Sequence, residues 1–507
     1  MNRIFLISAG IILSAASLTA QEQQSTGTAD YLLTLDDVVE MAKRQSPQAI
    51  QARHSFRASY FSFMDYKATF LPKLTLTTQP TTWDKSIQTI PSFDNDGNYV
   101  TREVKANTLT STAGLALSQN LGLTGGSISL GSDFRRRQNF LEKNADATTS
   151  FTTSPVSLSI TQPLNGYNRF RWDKQIEPLR YEEAKQSYIV AMENVASRAA
   201  IMFFSLATAQ MNLKIAQTNL KNSQDLFDIS KGRHQLGIIA EDQLLQVQLR
   251  YMQSESKLNS SKIEVESSMS SLRSFLGFNE NVIIDVLPIS EVPDFKVPFE
   301  EALNLALTRN PDIIANSRQI LEAERAVALA KSQSGITLNL EASFGVNKTG
   351  YSLNDAYSPR FDDREGIGLR INVPILDWNQ TRNRVRNAQS LLEVTEARVQ
   401  QSETDFKQDI YLQVMSFNMQ ENQLRIAALT DTIAQSSYNI SYARYMIGKG
   451  DITVLNLADT AKDEAKVSFM RELRTYWNLF YMIRRLTLFD FQTNKPLEED
   501  FDLIIGE

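Results

Sequence analysis

Side chains able to make or break bonds are scarce in this chain. Its 507 residues include no cysteine and only two histidines, His54 and His234. Thiol nucleophiles and disulfides are excluded, and imidazole chemistry has little to work with. There is no nucleophile–base pair, no metal-ligand spacing and no glycine-rich phosphate loop. The sequence therefore offers no catalytic residue, no metal site and no cofactor, and it reads as a non-enzyme. What charge chemistry there is gathers around two glycines. Arg233 precedes Gly237, and Glu241-Asp242 follow it; Arg444-Tyr445 precede Gly448, and Asp451 follows it. Opposite charges near a chain reversal can latch neighbouring segments, at ~0–1 kcal/mol per exposed pair. The same residue types suit helix ends, where arginine favours the negative C-terminus and aspartate caps an N-terminus. Arg233, Gly237, Arg444 and Gly448 are read as candidate contact residues, and Glu241, Asp242, Tyr445 and Asp451 as candidate latch residues, at these reversals. The capping roles stay open beside both.

Long helices must carry these glycines. The stretches Asn168 to Arg233 and Asn379 to Arg444 are each about 66 residues. The second contains neither proline nor glycine, and the first has Pro178 near its start. At 1.5 Å per residue each spans on the order of 100 Å. Apolar positions recur at spacings of three and four, as in Ile410, Val414 and Phe417. A helix this long has no small core to enter, so it must pack laterally, as in a coiled coil. Gly237 and Gly448 then end the long helices in the left-handed conformation. Shorter helices return over 241–277 and 452–489, and others open each half over 35–70 and 299–334. One returning and one opening helix, end to end, match one long helix at roughly 110 Å. The rod so formed has the glycine turns at one end and the remaining segments at the other.

Those remaining segments alternate. Leu338, Leu340, Ala342, Phe344 and Val346 are spaced by two, as are Ile367, Leu369, Ile371 and Val373. Leu74 and Leu76 begin a similar run, and Val156, Leu158 and Ile160 form another. Period-two patterning over about 10 residues suits a membrane β-strand, with one face to lipid and one to a wet lumen. The two halves also align. Leu35–Pro47 matches Phe299–Pro311 at an offset of 264, and Pro163, Arg233 and Gly237 match Pro374, Arg444 and Gly448 at 211. The first half therefore carries about 53 extra residues, the difference of the two offsets, which read as an extra hairpin plus a loop.

The expected fold class is mainly α with membrane β: a long-helix α-barrel plus a transmembrane β-barrel shared between subunits, in two internal repeats. Residues 1–20 read as a signal peptide, with Arg3 before an apolar run, Ile4 to Leu18, and a cut near Ala20. The first repeat is 21–290, the second 291–490, and the tail 491–507. The net charge of −6 argues against nucleic-acid binding. The halves share four strands per chain, too few to close a membrane barrel, so copies must pool their strands in a symmetric ring.

This order of motifs resembles the TolC family of outer membrane factors. It is carried by Leu35-Asp36-Asp37-Val38-Val39 with Ser46-Pro47, by Leu71-Pro72-Lys73-Leu74, by Gln162-Pro163 and Val373-Pro374, and by the turns at Gly237 and Gly448. The resemblance implies a homotrimer in the outer membrane of a Gram-negative cell, reaching into the periplasm, with four barrel strands from each chain. It also implies a periplasmic adaptor (membrane fusion) protein and an inner-membrane pump as partners. Tyr445 matches the family's gate tyrosine. Gly450 stands where the family has an arginine, and Val454 and Leu457 stand where it has pore-lining aspartates. A gate here must therefore draw on other acids, with Glu241, Asp242 and Asp451 nearest. The implied function is a passive exit duct of a tripartite efflux or export system. Protein or peptide secretion through the same duct is the alternative, and a periplasmic coiled-coil adaptor is the competing class.

Overall fold

Two X-Pro steps decide how each half opens. Proline disfavours helical geometry in the residue before it. Ser46 (φ −65°, ψ 146°) and Asn310 (φ −66°, ψ 132°) are accordingly extended. The opening helices, expected to be continuous over 35–70 and 299–334, are therefore each broken in two. The computed structural model describes residues 31–93, 96–140, 148–279, 281–287 and 292–506. The expected signal peptide lies outside them.

In chain order the first half runs β1 (Tyr31–Leu33), α1 (Leu35–Gln45), α2 (Pro47–Ala68), β2 (Lys73–Phe93), β3 (Tyr99–Leu121), β4 (Gly126–Asn139), β5 (Thr148–Pro163), α3 (Arg169–Gln235) and α4 (Glu241–Leu276). After β6 (Ile284–Val286) come α5 (Phe299–Arg309), α6 (Pro311–Ser332), β7 (Thr337–Gly350), α7 (Leu353–Ala356), β8 (Asp362–Asn372), α8 (Gln380–Met446) and α9 (Ile452–Thr487). The tail adds β9 (Phe489–Asp490), β10 (Lys495–Pro496) and α10 (Phe501–Gly506). Both long helices have 67 residues and both returning helices 36, while the opening pairs have 11 and 22 in each half.

Among the described residues, six strands form one antiparallel sheet in the order β2-β3-β4-β5-β7-β8. The extra residues of the first half thus supply β3 and β4 inside this sheet, between the strands that the two halves share. Among the described residues β2 pairs only with β3 and β8 only with β7, so both outer edges are unpaired there.

The helices lie as a layer. Near the glycine turns the neighbours run α4, α3, α9, α8; toward the sheet they run α2, α3, α6, α8. The largest core sits between, where α1 and α5 pack on the longer helices. Phe203, Phe204, Leu272 and Tyr476 are wholly enclosed there. A window of α3 is apolar enough on length and composition to cross a membrane, but 56% of it is buried in the chain. The tail closes this region: Phe501 of α10 packs on Phe56, with ring centres 4.9 Å apart.

Candidate functional site

The two glycine turns are built alike. At the end of α3, Gly237 has φ +69°, and its N–H donates to His234 O at 2.9 Å. The Ile238 N–H donates to Arg233 O at 2.9 Å. At the end of α8, Gly448 has φ +75° and donates to Tyr445 O at 3.0 Å, while Lys449 N–H donates to Arg444 O at 2.9 Å. Both are Schellman caps, and both need a residue that tolerates positive φ. Arg233 and Arg444 therefore hold equivalent places, their carbonyls accepting the long bond of the cap.

The arginine side chains diverge. Arg233 reaches across to the other turn, donating from Nη2 to Met446 O at 3.1 Å and lying 5.6 Å from the Tyr445 ring centre. Arg444 is exposed. Tyr445 is only 7% exposed and sits in a small core with Leu226, Val247, Ile452 and Leu455. Its hydroxyl lies 3.2 Å from Ser230 Oγ. Tyr445 and Arg233 thus bind the two turns of one chain together. Asp451 is the N-cap of α9, accepting from Thr453 N–H at 2.6 Å. Glu241 and Asp242 occupy the first turn of α4, where Ala240 is the cap and makes no side-chain bond. All three acids are exposed, and among the described ion pairs none joins them to Arg233 or Arg444.

A polar cluster that sequence reasoning missed lies roughly 10–25 Å up the helices by their rise. Arg250 of α4 donates to Asn456 Oδ1 and Asp459 Oδ2 of α9. Asp459 also receives Lys462 at 2.7 Å, and Asn219 of α3 donates to Asp463 at 2.6 Å. The Lys462 ammonium sits 4.1 Å above the Tyr438 ring of α8. Four helices are tied by this one cluster. A signal was present: Ile452, Leu455, Asp459, Lys462, Lys466, Phe469 and Leu473 alternate spacings of three and four, so charges stand in a seam that is normally apolar.

Burial pushes the Asp463 carboxyl above its ordinary range, against the pull of Lys462. A raised folded-state pKa means that the folded chain holds this proton more tightly than the unfolded one. Ionised Asp463 therefore opposes folding at neutral pH, and the penalty fades as pH falls through the raised value. Asp463→Asn should accordingly raise the unfolding midpoint at pH 7. The gain over the parent should shrink toward pH 4 in a pH series of denaturant titrations.

The profile of the outer membrane efflux protein family matches residues 38–278 and 302–470. The chain belongs to the outer membrane efflux protein family. Outer membrane protein TolC of Salmonella enteritidis is 22% identical over 366 residues, 69% of this chain and 71% of that one. Nodulation protein T of Rhizobium leguminosarum bv. trifolii is 21% identical over 281 residues, and the match spans 54% of this chain and 58% of that relative. Among solved structures, the Campylobacter jejuni CmeC outer membrane channel superposes with a TM-score of 0.64 at 14% identity, covering 98% of this chain and 97% of that one. The Vibrio cholerae outer membrane protein VceC gives 0.62 at 12%, covering 92% and 97%. The fold is thus that of TolC-like channels, and this member of the outer membrane efflux protein family has channels, not enzymes, as its neighbours.

Proposed function

We propose that three copies of this chain close into a duct that crosses the outer membrane, reaches into the periplasm and passively conducts efflux substrates handed on by an adaptor and an inner-membrane pump. The observation that carries this reading is the pair of unfinished edges on the helical layer. On one edge, Leu412, Met419, Ile426, Ile433 and Ile440 of α8 stand exposed at intervals of seven. On the other, Leu245, Leu249, Met252 and Ile263 of α4 are exposed. A seven-residue stripe is a coiled-coil seam without its partner. Two different edges on one layer join head to tail, and such contacts either close a ring or run on as a fibre. The matching helix lengths of the two halves support a duplication, with units 21–290 and 291–490 and the tail 491–507. Duplication gives each chain two similar sectors of the ring wall.

Within this reading the glycine turns are the periplasmic tips, where Arg233, Gly237, Arg444 and Gly448 present a docking surface, and Glu241, Asp242, Tyr445 and Asp451 stand near the mouth. Leu236, Ile238 and Ile447 project there, exposed. Gly448→Val would force a β-branched residue to φ +75°, at a local cost of about 1–3 kcal/mol. Nothing lies within 4 Å of the added Cβ, so the effect stays at the tip. The variant should assemble normally, while substrate export in cells falls severalfold.

The reading itself is tested by fractionation and planar-bilayer recording. The protein should run as a heat-labile oligomer from the outer-membrane fraction and give discrete conductance steps. A soluble periplasmic monomer would overturn it.

A further inference from the structure

The sheet has two chemically distinct faces, and both run on through the inserted strands, with Gln119 of β3 the polar partner of Ile128 on the apolar side. One register ladder reads Leu74, Leu117, Leu130, Leu158, Phe344 across β2, β3, β4, β5 and β7, and meets Glu365 on the edge strand β8. The ladder one residue along, on the opposite face, reads Lys73, Ser118, Ser129, Ser159, Ser343 and ends at Gly366 of β8. A further apolar ladder joins Ile128, Ile160, Ala342 and Ile367. A hairpin lying in water over a barrel would have no reason to carry leucine and isoleucine on the barrel's outer face and serine on its inner face.

The turn of this hairpin is also built into the base of the sheet. Gly125 takes φ +81°. Asn168, the N-cap of α3, donates through Nδ2 to Gly122 O at 2.9 Å and Leu123 O at 3.0 Å. Gln162 donates to Thr124 O at 2.8 Å, and Asn120 to Thr69 O at 2.9 Å. The hairpin is thus held where α2 ends and α3 begins, level with the shared strands.

We infer that β3 and β4 are part of the lipid-facing wall of the membrane pore, so that each subunit supplies six strands instead of the four its halves share. This rests on the three-copy ring above, in which three times six strands make a barrel of eighteen. Barrel diameter grows roughly linearly with strand number, so the outlet is wider by about half than four strands per subunit would give. Its lumen face is polar: serine and glycine alternate there with charged groups such as Lys73 and the Glu341–Arg370 pair, so it is wetted across its width. Such an outlet passes bulky hydrophilic cargo without sieving it, and any size selection falls to the helical tunnel and its tips.

The absence of cysteine allows a direct test with single-cysteine variants of the full chain, reconstituted in phospholipid vesicles. Ser129→Cys in β4 should react with a negatively charged, membrane-impermeant methanethiosulfonate. Leu130→Cys should react at least tenfold more slowly, and a fluorophore placed there should be quenched by brominated lipid. Ile367→Cys in β8 is the control for the barrel as such. If Ile367→Cys is lipid-quenched while Leu130→Cys reacts freely with the charged reagent and is not quenched, the hairpin lies outside the wall and this inference falls. If Ile367→Cys also lacks lipid contact, the membrane barrel itself is refuted.

Discussion

Arg484→Ala is expected to destabilise the protein by about 3–5 kcal/mol, the usual cost of removing one partner from a buried charge network. Glu193, in the middle of α3, is only 2% exposed and accepts from Arg484 Nε at 2.9 Å. Lys43 of α1 approaches the same carboxylate at 2.6 Å, and Arg484 also holds Asp490 of the tail at 2.9 Å. Removing the guanidinium leaves Glu193 with one half-buried partner and frees the tail. It also deletes the cation that lies 5.4 Å from the Phe480 ring centre. Arg484→Lys keeps the charge but loses the fork that spans Glu193 and Asp490, so it should recover only part of the loss. Denaturant titration of the protein in detergent measures both. A loss below about 1 kcal/mol for the alanine variant would mean that the network adds nothing beyond surface pairing.

The second large effect is expected at Arg250. Its guanidinium is the only described ion pair between α4 and α9. Asp459 keeps Lys462 when Arg250 is removed, so the cost is moderate, about 1–3 kcal/mol, typical of a charged hydrogen-bond partner lost from a partly buried site. The consequence for conduction is larger than the stability change suggests. If closing the periplasmic mouth needs α4 held against α9, a bias of about 1.4 kcal/mol per chain shifts opening tenfold, and a symmetric ring repeats it. Arg250→Ala should raise the open probability in planar bilayers at least tenfold. Asp242→Ala with Asp451→Ala should change it little, because these acids are exposed and unpaired with the tip arginines among the described ion pairs. The reverse order of effects would return the latch to the tip acids.

Much of this architecture was legible in the residues, and the misses have physical causes. The long helices follow from the absence of breakers between Asn379 and Arg444, and the positive φ of Gly237 and Gly448 from their place at helix ends. The break before Pro47 and Pro311 is also local chemistry. Reading 35–70 as continuous gave periodicity more weight than the proline, although Ser46 accepts from Ala49 N–H as a cap should. The inserted strands were visible as Gly114–Gln119 and Gly126–Leu130 around a glycine turn. Pairing partners are non-local, however, and alternation does not say which strand is a neighbour. The resemblance places Tyr445 at the mouth; that its ring is buried between the two turns of its own chain follows only from how those turns pack. The Arg250–Asp459–Lys462 cluster escaped notice because charges at heptad positions look like a solvated face until the partner helix is known.

The closed ring is tested most directly by joining the two unfinished edges. By helix rise, Ile433 on α8 and Met252 on α4 both lie roughly 20–25 Å from their turn glycines. In the cysteine-free chain, Ile433→Cys with Met252→Cys should be linked by a short bismaleimide in outer membranes. The expected product is one discrete three-subunit species under denaturing conditions, with either single variant remaining monomeric. An open-ended ladder of linked chains, or no linkage in membranes that contain the folded protein, would contradict the ring.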